Sequence, residues 1–161
     1  MLVLPWLLAC AISDLRSRTL PAWLTIPPLL GAIIWTVWLG NWWLALLTLT
    51  LIAFDDLPWR LRGFLGGVQG LLLVFAWRQA GFPALFLGLA LMTIWLGWKL
   101  AAFGGADAQV LMTLCLVFSP GILYPIAVFT GFQGVAQWLR KQPTLPAMLS
   151  ILAGTLFFLL Q

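Results

Sequence analysis

The chain has 161 residues, 63% of them hydrophobic and 7% charged, with a formal net charge of +4 and a mean hydropathy of +1.08. A soluble domain carries about a quarter of its residues as charges to keep its surface wet, so this composition excludes a water-exposed globule and points to a lipid bilayer. There is no histidine or glutamate, which disfavours serine, cysteine and metal hydrolase chemistry and leaves acid–base work to Asp14, Asp55, Asp56 and Asp107.

Apolar runs follow one another at roughly 2–13, 22–39, 42–54, 64–77, 82–102, 108–118, 121–139 and 145–160. A spanning helix needs about 20 apolar residues, and the first, third and sixth runs are shorter than that. They are read as tilted, extended by flanking residues, or half-helices packed inside a bundle. Leu7-Leu8-Ala9-Cys10 looks like a lipoprotein cleavage box, but no basic segment precedes it, so residues 1–13 are read as a retained helix. Gly40-Asn41, Gly81-Phe82-Pro83 and Ser119-Pro120-Gly121 break the runs at one end, and Pro58, Pro143 and Pro146 at the other. The pattern predicts an all-α fold: a single integral-membrane domain over 1–161, a polytopic transmembrane helical bundle of about eight passes.

Charge gives the bundle a sidedness. With the N-terminus outside, alternate gaps deliver Arg16 and Arg18, then Arg60 and Arg62, then Lys99, then Arg140 and Lys141 to the cytosolic face, leaving only Arg78 outside. That is the positive-inside bias. The basic residues do not interleave with exposed aromatics as in single-strand binders, so nucleic acid is not an expected partner. The tryptophans read as an interfacial belt plus helix packing. Cys10 and Cys115 stand alone, without metal-ligand spacing, and neither a metal nor a cofactor is expected.

The same assignment puts two aspartates on one face. Asp14 follows the first apolar run in Asp14-Leu15-Arg16-Ser17-Arg18-Thr19-Leu20-Pro21, where Pro21 opens the next helix at a position that does not need its N–H. Asp107 follows Gly104-Gly105-Ala106, residues that keep side-chain bulk away from it, and it precedes the helical run from Ala108. Each has a plainer reading, Asp14 as a topological anchor beside arginines and Asp107 as a helix N-cap. Asp55 and Asp56 form the remaining acidic spot, read either as a binding site for a basic peptide or as a solvated loop balancing Arg60 and Arg62.

Asp-x-Arg-x-x-x-Leu-Pro at the inner end of an early helix, followed by Gly-Gly-x-Asp at the start of a later one, resembles the type IV prepilin peptidase family of polytopic aspartic proteases. The likeness covers Asp14 to about Leu30 and Trp95 to about Gly131. It implies a membrane-embedded aspartic endopeptidase with Asp14 and Asp107 as its catalytic pair, supported by Gly104, Gly105, Ala106 and Pro21. It also implies a prepilin-like membrane protein as substrate, cut behind its basic leader at the cytosolic face, with Asp55 and Asp56 as a possible leader-binding pair. Ala106 stands where many members have glycine, and Gln109 where many bacterial members have lysine. The aspartates are 93 positions apart, a longer separation than is usual in the family. An added helical hairpin around 42–80, on a six-helix peptidase-like core, explains it. The four-cysteine zinc domain of many bacterial members is missing.

Two carboxyls within hydrogen-bond reach share one proton. The ionised partner then activates a water while the protonated one hydrogen-bonds the developing oxyanion. A helix N-terminus at Asp107 marks it as the charged member. Three other readings stand beside this one. A presenilin-like protease carries Tyr-Asp in its first motif, and here Ser13 precedes Asp14. A transporter or assembly subunit binds cations or protons on membrane aspartates. An inactive peptidase relative keeps only the fold.

Overall fold

The structure, a computed structural model, describes residues 2–54, 58–100, 104–140 and 147–161, and the side chains of all of these but 59, 60 and 134–140. Among them are seven α-helices and no strand: α1 (Val3–Ser17), α2 (Ala22–Trp38), α3 (Trp42–Ala53), α4 (Trp59–Lys99), α5 (Gly105–Phe118), α6 (Leu123–Arg140) and α7 (Ala147–Leu159). A 3-10 turn, Pro120–Ile122, joins α5 to α6.

The breaks fall where backbone chemistry requires them. Pro21 and Pro58, held extended, are the N-caps of α2 and α4, just outside the first helical residue. Gly40 turns with φ +80 between α2 and α3. Inside the 41-residue α4, Gly81 takes φ 71 and ψ −156, a conformation that only glycine adopts cheaply. The chain reverses there. A Cβ on Gly88 would meet the Leu73 side chain at 2.5 Å, although the two residues would lie roughly 22 Å apart on a straight helix. α4 is therefore a hairpin of two rods. Of the described helices it alone, over Leu61–Lys99, is long and apolar enough to cross a membrane by length and composition.

α5 is the central helix: Ala108, Val110 and Met112 to Leu116 are all buried, and it packs against α2, α4 and α7. α1 lies on α7, α7 on α6, and α3 bridges α2 and α4. Most buried hydroxyls are satisfied locally, while Gln69 Nε2 and Trp95 Nε1 are buried without a hydrogen-bond partner among the described residues. The buried hydroxyls of Thr36, Thr48, Thr113 and Thr155 donate to carbonyls one turn back. Pro27 and Pro28 interrupt α2 and leave the Leu24 carbonyl without its helical donor. The indole Nε1–H of Trp6 in α1 donates to that oxygen at 2.7 Å, tying α1 to α2.

Side-chain contacts sort the helix ends into two groups. At one end Phe54 meets Trp95, Lys99 lies over Trp95 and Trp98, Trp98 covers Gly105, and Asp14 reaches Met148. At the other end Trp42 meets Phe75, and Phe118 and Gly121 meet Phe158. Asp14 and Asp107 both belong to the first end. The surface between the ends is apolar, with Leu71 at 71%, Phe64 at 70% and Phe132 at 71% exposure. An apolar face of that kind needs a partner or a lipid phase.

Candidate active site

Asp14 does not lie beyond the first helix, because α1 continues to Ser17 and carries Asp14 in its last full turn. Arg18 closes that helix in the left-handed conformation, φ 52, donating its N–H to the Asp14 carbonyl. The hydroxyls of Ser13 and Ser17 both donate to the Thr19 carbonyl and hold the following loop against the helix. The half-buried Asp14 carboxylate is thereby aimed across the bundle. Its Oδ2 accepts the backbone N–H of Met148, 134 positions away, at 3.3 Å. Met148 is the second residue of α7, whose first turn contains no acidic residue of its own. Asp14 supplies that helix N-terminus with the acceptor its unpaired N–H groups require.

Asp107 is the third residue of α5, not its cap. Gly104 is the N-cap, and the Asp107 Oδ2 reaches back to accept the Gly104 N–H at 3.3 Å. The glycines keep this turn open to one neighbour in particular. A Cβ at position 105 would lie 3.0 Å from Trp98 Nε1, so the indole occupies the space that Gly105 leaves. Lys99 sits 3.9 Å above the same ring. The space that the small residues leave beside Asp107 is thus taken by Trp98.

Asp107 precedes the apolar run 108–118, and its carboxyl lies above its ordinary pKa. Burial is the largest cause, the Gly104 N–H opposes it, and the Asp14 charge adds to it. Burial thus opposes the charged form that the helix terminus at Asp107 favours. The loss of water outweighs the favourable N-terminal position. It is Asp14 that meets a second helix N-terminus, through α7.

The two carboxyls converge on the first turn of α7. Asp14 bonds Met148, and Asp107 lines a cavity of about 390 Å³ whose wall includes the preceding residue, Ala147. The rest of that cavity is apolar or carries small side chains, among them Ala90, Thr93, Ile126, Ala127 and Thr130 from α4 and α6. Nothing in the two sequence motifs pointed to Met148, Trp98 or these wall residues. The one available signal was a final helix that begins without an acceptor in its own first turn. Asp55 and Asp56 lie outside the described residues. Among the described residues, no three His, Cys, Asp or Glu side chains are grouped to hold a metal ion.

No protein-family model, curated protein or solved structure matches the chain.

Proposed function

We propose that this protein is a membrane-embedded aspartic endopeptidase that removes the leader from prepilin-like precursors at the cytosolic membrane face, with Asp14 and Asp107 as its dyad. One observation carries the reading: two carboxyls 93 positions apart come to the same helix end, at the first turn of α7, beside an apolar cavity. The negative charge of Asp14 is among the smaller causes that raise the Asp107 carboxyl.

The bilayer placement is part of the proposal. Its supports are the apolar girdle and exposed aromatics near both ends, Trp38, Trp77 and Tyr124 at one and Trp23 at the other. The reversal at Gly81 supports a count of eight helical rods in an up-and-down path, which we orient by the positive-inside bias with the N-terminus outside and both aspartates inside. Several rods are short, α3 having 12 residues, and a locally thinned bilayer accommodates them. Placement also separates this reading from a cation or proton carrier, whose aspartates belong near the midplane.

In the reaction, Asp14 is the base. Its carboxylate, which accepts the Met148 N–H, takes a proton from a water lodged between the two carboxyls. That water attacks the scissile carbonyl. Asp107, whose burial disfavours its charged form, donates to the developing oxyanion and then passes its proton to the leaving amine, and no covalent intermediate forms. The cavity beside Asp107 accepts apolar side chains of the substrate's membrane segment, which holds the peptide bond above it at the membrane surface.

Co-expression with a prepilin-type precursor tests this on a gel. Wild type converts the precursor to a shorter product, while Asp14→Asn and Asp107→Asn, present in the membrane at normal levels, leave it uncut. Substantial conversion by either variant would remove the dyad.

A further inference from the structure

We infer that the inner end of α1 and α2 binds one anionic phospholipid, with Arg16 holding the phosphate and a shelf of Ala9, Ile12 and Leu24 holding the first part of an acyl chain. These residues line one cavity of about 460 Å³, on the side of α1 away from the peptidase site, and Ser13, Ser17 and Trp23 complete its wall. The cavity is graded. Ile12 and Ala9 lie one and two turns toward the middle of α1, while Arg16 is in its last turn, at the level of Asp14. Polar and apolar walls therefore follow the order of headgroup and chain in a bilayer leaflet.

The donor inventory singles out Arg16. Both serine hydroxyls already face backbone carbonyls, Ser13 that of Thr19 and Ser17 that of Ser13 or Thr19, which leaves Arg16 as the cavity's charged donor. Arg16 is exposed, and among the described residues it has no carboxylate partner. A guanidinium carries five N–H donors in a fork that matches two phosphate oxygens. Trp23, 73% exposed at the start of α2, has the amphipathic ring that settles at headgroup depth. A free phosphate would use only the Arg16 end and leave the apolar shelf wet, so the occupant is a lipid. Arg18, two residues on, lies outside the cavity although its charge is the same.

The inference rests on the bilayer placement proposed above and not on the peptidase reading. A carbonate wash of the membranes tests that placement separately, since an integral protein stays in the pellet. The lipid test takes the full chain from nanodiscs of equal phosphatidylglycerol and phosphatidylcholine and counts retained lipids by native mass spectrometry. Wild type should keep one phosphatidylglycerol and R16Q should keep at least tenfold less. R18Q should match wild type, and R16K should fall between. Equal losses in R16Q and R18Q would overturn the site, as would equal retention of the two lipids by wild type. Displacement of the lipid by millimolar inorganic phosphate would overturn it too. The wild-type comparison decides the matter even if a variant fails to fold.

Discussion

α7 carries the amide that holds Asp14, and its position depends on one glycine. A Cβ on Gly154 would lie 2.5 Å from the Ile126 Cα and 2.6 Å from its backbone nitrogen, so α6 and α7 touch backbone to backbone there. Small residues allow membrane helices this approach. Ordinary carbon contacts begin near 3.4 Å, so Gly154→Ala must part the helices by about 1 Å. Overpacking of that kind costs about 1–3 kcal/mol, and the better helix propensity of alanine returns at most about 1 kcal/mol. The net expectation is a loss of about 1–2 kcal/mol, or roughly 2–8 °C in Tm for a chain of this size. Gly131, on α6, has open space where its Cβ would stand, so Gly131→Ala should leave Tm unchanged or raise it by a few degrees. Cys10 and Cys115 are both fully buried, so a thiol-reactive dye in detergent reports unfolding without added labels. Equal Tm values for the two variants would refute the backbone contact.

Gly105→Ala pushes a methyl group into Trp98, costs about 1 kcal/mol by overpacking, and should reduce precursor cleavage; full cleavage would show that the Trp98–Gly105 contact does not position Asp107. Ala106→Gly should weaken the first turn of α5 by roughly 0.5–1 kcal/mol with cleavage retained, read from Tm and the gel together. Asp14→Ala leaves the Met148 N–H without its acceptor and should cost about 1 kcal/mol of stability, whereas Asp14→Asn keeps an oxygen there and should melt close to wild type. Asp107 is raised above its ordinary pKa in the folded chain, so the stability it contributes is present at acid pH and lost as pH rises through that raised value. Asp107→Asn should therefore melt higher than wild type near neutral pH and lose that advantage in acid; a lower Tm at neutral pH would contradict burial as the main cause.

The helical rods were legible because composition and turn chemistry agree. Several apolar runs end near a glycine or proline whose backbone limits are local, and Gly40, Pro58, Gly81 and the Ser119-Pro120-Gly121 turn fall at breaks in the structure. The location of both aspartates at one end also followed, since alternation of runs fixes it by parity. Ends of elements were less legible. Asp14 falls inside α1 because Arg18, not the first charge, stops the helix, and Asp107 lies three residues past the Gly104 cap. Long-range partners were beyond reach. That Met148 meets Asp14, and that Trp98 fills the space over Gly105, depends on how α7 and α4 pack, and no local pattern encodes it. The balance of burial against a helix N-terminus at Asp107 likewise needs three dimensions.

The account stands on the approach of Asp14 and Asp107 at one membrane face. In a C10A/C115A background, D14C and D107C introduced together can be treated in intact membranes with a short bismaleimide. A single linker bridging both thiols, identified by intact mass, is the result this structure predicts. Two separately capped thiols, with one reached only from the outer face by a membrane-impermeant reagent, would contradict it.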